Sequence, residues 1–238
     1  MARAGLIVAL DEPTLDRARG LAAAVRGSAD MLKVGLELFI EAGPRSVALG
    51  EEFDLPVMLD LKLYDIPETV ERAVARACSL GARLVTLHAS GGGSMLGRAV
   101  ARAEREGGKT QVAAVTVLTS FDEADLAALG IHASVNAHVE RLARLAWNEG
   151  IRTFVCSPHE AAMLRGLLGE GATLVTPGVR AAPDAGHDDQ KRTMTAAEAV
   201  RAGARWVVVG RPIRDSADPA SAARAIAEQV SQAARSFA

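Results

Sequence analysis

Short apolar runs alternate with Ala-, Leu- and Arg-rich amphipathic stretches from one end of the chain to the other. The runs with strand character are residues 6–10, 31–34, 57–61, 84–88, 112–118, 153–156, 173–176 and 206–209. Between them, residues 67–80, 94–106, 137–148, 159–168 and 196–202 repeat their apolar positions at helical spacing, and 219–237 closes the chain the same way. Strands separated by helices predict a parallel sheet, because a parallel neighbour is reached only through a crossover. Eight such units in 238 residues fit the smallest (β/α)8 barrel. An open doubly wound sheet is the alternative, but Gly-x-Gly-x-x-Gly does not follow the first strand. The expectation is α/β, a single-domain TIM barrel over residues 1–238, since no linker-like composition divides the chain.

Two segments are too long and polar to be plain connectors. Residues 120–136 are expected to hold a short extra helix, and 180–193, with its Asp188-Asp189-Gln190-Lys191-Arg192 cluster, reads as a lid loop.

Composition narrows the function classes. The chain is 49% hydrophobic and 24% charged with a formal net charge of −2, so nothing favours nucleic acid or an anionic membrane as partner. No apolar run approaches the ~18 residues of a membrane span, and the opening Leu6-Ile7-Val8-Ala9-Leu10-Asp11 reads as a strand rather than a signal peptide. Cys78 and Cys156 lack metal-type spacing and are expected to be reduced residues of a cytoplasmic protein. The basic residues comprise 23 Arg and only four Lys, and two of those, Lys33 and Lys62, fall within or directly behind apolar strand-like segments.

In a (β/α)8 barrel, chemistry sits at the C-terminal ends of the strands. Asp11 ends the first run, Lys33 lies between Leu32 and Val34, and the third run leads into Asp60-Leu61-Lys62 and Asp65. Period-two alternation puts Met58, Asp60 and Lys62 on one face and Val57, Leu59, Leu61 and Leu63 on the other. Asp60 and Lys62 then point together toward the barrel mouth, near Asp11 and Lys33. A structural ion pair at the rim would use the same residue types. Several charges taken from water together favour a functional site instead. A second cluster follows strands seven and eight: Pro177-Gly178-Val179-Arg180 and Gly210-Arg211, where such barrels place a phosphate. The ligand implied is a phosphorylated small molecule. His88 ends strand four as a shell residue, Gly91-Gly92-Gly93-Ser94 reads as a turn with a helix cap, and Trp147 and Trp206 read as core.

Asp60-Leu61-Lys62-Leu63-Tyr64-Asp65-Ile66-Pro67 closely resembles the Asp-x-Lys-x-x-Asp-Ile-Pro signature of the orotidine 5'-phosphate decarboxylase family. The likeness extends along the chain through Val8-Ala9-Leu10-Asp11, Lys33-Val34-Gly35-Leu36-Glu37, Leu118-Thr119-Ser120, Thr176-Pro177-Gly178-Val179-Arg180, Asp189-Gln190-Lys191-Arg192 and Val209-Gly210-Arg211. The resemblance implies conversion of orotidine 5'-monophosphate to UMP and CO2 in pyrimidine biosynthesis, without metal or cofactor, by a homodimer with shared active sites. It implies Lys62 as proton donor in an array with Lys33, Asp60 and Asp65. Asp65 and Thr69 would come from the partner subunit, and Thr69 would bind ribose with Asp11 and Lys33. Substrate contact is implied along the whole signature, through Asp60, Leu61, Lys62, Leu63, Tyr64, Asp65, Ile66, Pro67 and Glu68. Thr119 would meet the pyrimidine, Pro177 would form the pocket wall, and Arg180, Gln190, Gly210 and Arg211 would hold the phosphate. The chain departs from the common bacterial pattern at Tyr64 and Glu68, where His and Asn are usual, and at Thr195, where Pro often follows the lid. Two rivals share parts of this pattern: a metal-dependent sugar-phosphate decarboxylase or aldolase of the same barrel group, and a non-catalytic phosphate-binding barrel. Lys33, where the metal enzymes carry a carboxylate, speaks against the first, and the unbroken charged array against the second.

Overall fold

The computed structural model describes residues 4–180 and 194–236. Eight parallel strands close into a barrel: β1 (Gly5–Ala9), β2 (Met31–Val34), β3 (Val57–Leu63), β4 (Leu84–His88), β5 (Gln111–Val115), β6 (Thr153–Val155), β7 (Thr173–Thr176) and β10 (Trp206–Val209). β8 (Val179–Arg180) and β9 (Met194–Thr195) form a two-residue parallel ribbon outside the barrel. Neighbours follow chain order around the ring until β10 closes against β1, with Gly5 opposite Trp206 and Val8 opposite Val209. The expected barrel is the observed one. Among the described residues, no helix is long and apolar enough to cross a membrane.

Alternation along each strand sorts side chains into two cores. Ile7, Ala9, Met31, Met58, Leu84, Ala113, Val115, Val155, Val175 and Val208 fill the inside of the barrel. The alternate positions, including Leu6, Val8, Leu32, Val57, Leu59, Val85, Phe154 and Val207, pack outward with the helices. Local signals start those helices. Ser157 caps Pro158–Leu168 in a capping box with Glu160, and Pro67, whose fixed φ suits a first helical turn, opens Pro67–Ser79.

Three boundaries differ from the sequence reading. The fifth strand ends at Val115 rather than residue 118, because beyond Thr116, whose N–H still reaches the Val155 carbonyl at 3.2 Å, the chain turns away at the rim. The third strand runs two residues past Leu61, through an irregularity described below. Ser94 lies inside helix Gly93–Arg105 rather than capping it. The cap is Gly92 at φ 87°, a left-handed conformation suited to glycine. The neighbouring glycines make room instead for Glu149, whose carboxylate would lie 2.6 Å from a Cβ at Gly93 and 2.7 Å from one at Gly97. The extra helix expected within 120–136 is Glu123–Ala128, capped by Asp122 in a capping box with Asp125. The expected lid, including Gln190, Lys191 and Arg192, lies outside the described residues beyond Arg180.

Candidate active site

The ends of β1, β2 and β3 bring four charged side chains into a row of alternating sign at the barrel mouth. The Lys33 ammonium donates to Asp11 Oδ1 at 2.8 Å and lies 3.7 Å from Asp60 Oδ2. The Lys62 ammonium sits 2.9 Å from both oxygens of Asp60. Lys33 and Asp60 are among the few buried charged residues, while Asp11 and Lys62 are half-buried. Burial alone would push the Asp60 carboxyl up. The Lys33 and Lys62 ammoniums and hydrogen bonds from Lys62 and Thr86 outweigh it, holding Asp60 below the usual carboxylate range.

The route of β3 explains how Lys62 reaches Asp60. Lys62 has φ 49°, a left-handed backbone uncommon outside glycine. Pairing with β4 is regular through Leu59 opposite Val85 and resumes at Leu63 opposite Leu87, so β3 spends more residues than β4 across the gap. The expected alternation survives on the outer side, where Leu61 and Leu63 pack against the outer core. Contact of these two with a ligand would therefore run through their backbone. Lys62 itself returns to Asp60 through a bulge rather than a flat strand.

Close backbone approach shapes the floor. A Cβ at Gly35, just after β2, would meet Asp11 Oδ1 at 2.9 Å and the Lys33 ammonium at 3.0 Å. At Gly210, behind β10, it would come within 3.6 Å of Asp11 Oδ2. Gly210 thus lies beside the charged row, and Arg211 opens the short helix Arg211–Arg214 there. Gly178, at φ 82°, turns the chain after β7 and Pro177. The Arg180 backbone pairs in the outer ribbon. Thr119 is half-buried in the turn beyond β5.

The rest of the signature lies on the rim. Tyr64, Asp65, Ile66, Glu68 and Thr69 are exposed in the single chain. Asp65 accepts from the neighbouring Ile66 N–H at 2.6 Å and forms no ion pair with Lys33 or Lys62 among the described residues. The chain therefore brings together Asp11, Lys33, Asp60 and Lys62, but not Asp65. Glu68 pairs with Arg72 one helical turn on, and Tyr64 lies tilted against His88 with ring centroids 5.9 Å apart. Burial and the nearby Lys62 ammonium, partly offset by Asp60, push the His88 imidazole below its usual range. Thr195, the third departure, caps helix Ala196–Arg201 in a capping box with Glu198.

Two site residues escaped the sequence reading. Thr86, fully buried in β4, donates to Asp60 Oδ1 and accepts the Lys62 N–H, both at 2.9 Å. A hydroxyl within the otherwise apolar stretch of residues 84–87, on the same face as Leu84 and His88, was its available signal. Arg214 donates from Nη1 to the Asp11 carbonyl at 2.9 Å, a contact across the β1–β10 seam that no local pattern announces.

A family model described as orotidine 5'-phosphate decarboxylase / HUMPS matches residues 4–226. The chain belongs to that family. It is 52% identical over 222 residues to the orotidine 5'-phosphate decarboxylase of Anaeromyxobacter sp. (strain K), covering 93% of this chain and 96% of the relative. It is 46% identical to that of Thermobifida fusca (strain YX), covering 95% and 96%. Among solved structures, orotidine 5'-phosphate decarboxylase from Lactobacillus acidophilus superposes with a TM-score of 0.82 at 30% identity, covering 96% of this chain and 99% of that one.

Proposed function

We propose that this chain decarboxylates orotidine 5'-monophosphate to UMP, and that the alternating row Asp11–Lys33–Asp60–Lys62 carries the chemistry. The bond from C6 of the pyrimidine to its carboxylate breaks, CO2 leaves, and the electron pair stays on C6. Lys62 then delivers a proton from its ammonium to C6, and solvent returns that proton to the amine. The carbanion lies in the ring plane, where the ring does little to delocalise it, so the protein must stabilise it electrostatically. At ~4 Å and an effective dielectric near 20, one ammonium is worth about 4 kcal/mol. A full rate enhancement can demand upwards of ~20 kcal/mol, so one ion pair does not suffice. Prior fixation of the row supplies more, because little has to reorganise when charge develops. Binding energy from the remote phosphate adds a further share.

Arg180, Gly210 and Arg211 are assigned to the phosphate end, with Gln190 from the lid, Pro177 to the pocket wall and Thr119 to the pyrimidine. Asp11 and Lys33 take the ribose, joined by Thr69 from a partner subunit. Asp65 of that partner completes the row beyond Lys62. Exposed Leu36, Ile40, Tyr64 and Ile66 near the ends of β2 and β3 support such a homodimer, since large apolar side chains gathered on one rim favour a covered surface. The family also contains sugar-phosphate enzymes. The observation that separates the readings is the Lys33 ammonium at the end of β2, 2.8 Å from Asp11, where it would repel a divalent cation.

The test is loss of the substrate's ultraviolet absorbance with purified protein in EDTA. Wild type is expected to turn over, and Lys62→Ala to lose ~1,000-fold or more in kcat/KM, a transition-state electrostatic loss of ~4 kcal/mol. Full activity in that variant overturns the role of Lys62. Mixing Lys62→Ala with Asp65→Ala subunits is expected to restore part of the turnover. No recovery after verified subunit exchange removes Asp65 from the partner's site.

A further inference from the structure

We propose that Thr86 is a positioning residue: its single hydroxyl holds the backbone of Lys62 and the carboxylate of Asp60 at once, and so sets the direction of the proton donor. This rests on the decarboxylase reading of the site.

The irregularity in β3 creates the need. Between Leu59–Val85 and Leu63–Leu87 the ladder with β4 is interrupted, and Thr86 is the β4 residue facing the gap. A bulge leaves strand N–H groups without their ladder acceptors, and an unpaired buried donor is rare because it loses water without replacement. Thr86 Oγ1 takes the Lys62 N–H at 2.9 Å. A hydroxyl can accept and donate at the same time, and the same Oγ1 donates to Asp60 Oδ1 at 2.9 Å. The Thr86 side chain is wholly buried, so no water competes for either bond.

The two bonds form a relay between groups that are themselves in contact. Lys62 sits at φ 49°, a conformation that a lysine keeps only where its surroundings over-determine it. The hydroxyl fixes the N–H end of that residue, Asp60 fixes the ammonium end at 2.9 Å, and Asp60 is in turn held by the same hydroxyl. The ring closes through one oxygen atom. Removing it leaves the strained residue free to relax toward the extended conformation, which would swing the ammonium off its direction toward C6. A β-branched apolar side chain of the same shape cannot replace it, whereas serine can.

Thr86→Val keeps volume and branching, and Thr86→Ser keeps the hydroxyl. With orotidine 5'-monophosphate, Thr86→Val is expected to lower kcat ~100-fold with KM changed less than ~3-fold. Thr86→Ser is expected to stay within ~3-fold of wild type in both, in line with geometry that acts on the transition state alone. A kcat for Thr86→Val close to wild type overturns the proposal. Equal losses in both variants overturn it too, since the hydroxyl would then not matter. Hydrogen exchange at the Lys62 amide of the wild-type protein decides if Thr86→Val does not fold, and needs no activity. Protection matching the amides of Leu59 and Leu87 is expected, and exchange at the rate of a solvated loop sinks the relay. A wild-type protein that is inactive toward this substrate refutes the decarboxylase reading, and the exchange experiment still judges the relay by itself.

Discussion

The inside of the barrel and its rim are built from the same strands, frequently two residues apart, and they follow opposite rules. Met31 fills the interior and Lys33 joins the charged row; Met58 and Asp60 divide β3 the same way, and Ala9 precedes Asp11. Below the rim the ladder is regular and the side chains mostly apolar, so burial is favourable at most positions. At the rim, charges are buried only because opposite charges and hydroxyls surround them, and the backbone departs from ideal geometry at Lys62. Stability and chemistry are thereby separated by one step of strand alternation, so substitutions should be able to remove either one while leaving the other.

The strongest way to break this contrast is to truncate Met58 and to neutralise Lys33, its register neighbour on β2. Met58→Ala opens a cavity in a closed interior and is expected to cost ~2–5 kcal/mol, read in denaturant unfolding, with turnover per folded molecule near wild type. Lys33→Met is expected to lose ~100-fold or more in kcat/KM. Its stability should stay within ~1 kcal/mol, because Asp60 keeps Lys62 and Thr86 while Asp11 is exposed enough to hydrate. If Met58→Ala proved as inactive as Lys33→Met at equal folded fraction, the two regions would be one functional unit and the contrast would fail.

The barrel and most of its elements were legible because strand and helix periods differ and each apolar run marks one strand. Seven of the eight strands coincide with or overlap a run closely, and β5 is shorter only because the Val117–Leu118 pair packs beyond the ladder. The charged row was legible for a related reason: Lys33 and Asp60 are charges inside apolar runs, an arrangement that costs too much to be idle. The bulge at Lys62 was not, since a non-glycine residue at positive φ leaves no mark in composition. Thr86 and Arg214 were missed because their importance lies in contacts with residues far along the chain, 26 and 203 positions away.

Two glycines at opposite ends of the molecule sharpen the contrast further. A Cβ at Gly5 would overlap the rigid Trp206 ring and sit 3.1 Å from the Asp30 carboxylate, which is held by the Leu6 N–H at 2.9 Å. Gly5→Ala is expected to destabilise by ~1–3 kcal/mol through overpacking while leaving kcat unchanged. A Cβ at Gly35 meets only the tips of Asp11 and Lys33, which can move aside. Gly35→Ala is expected to lower kcat/KM ~10-fold by spreading the row, roughly 1.4 kcal/mol, with little loss of stability. Thermal melts and steady-state kinetics on the same two preparations check both. An equally destabilised pair would place the rim under the same packing constraint as the interior.

The smallest expected effect is the acid dependence of stability, and it separates rim from helix layer by pH window. His88 at the rim and His138 on helix Val135–Asn148 are both held below the usual imidazole range, each first by burial, then by the Lys62 ammonium and the Arg141 guanidinium respectively. Arg141 Nη2 lies 2.7 Å from His138 Nδ1, which therefore accepts in the neutral ring. In the unfolded chain both titrate near ~6.5, so below that pH the unfolded state binds protons first and stability falls as pH drops toward the folded-state values. The Asp60 carboxyl adds a second window. Its folded value lies below the ordinary 3.8, so its contribution is complete above that pH and is lost only as pH falls through the lower folded value. Unfolding free energies between about pH 7.5 and pH 5 should therefore decline in wild type. The decline should flatten partly in His88→Gln and partly in His138→Gln, while the loss below about pH 4 persists in both. An unchanged slope in His88→Gln would mean that its imidazole is solvated in solution, and that the Lys62 end of the row is more open than its geometry implies.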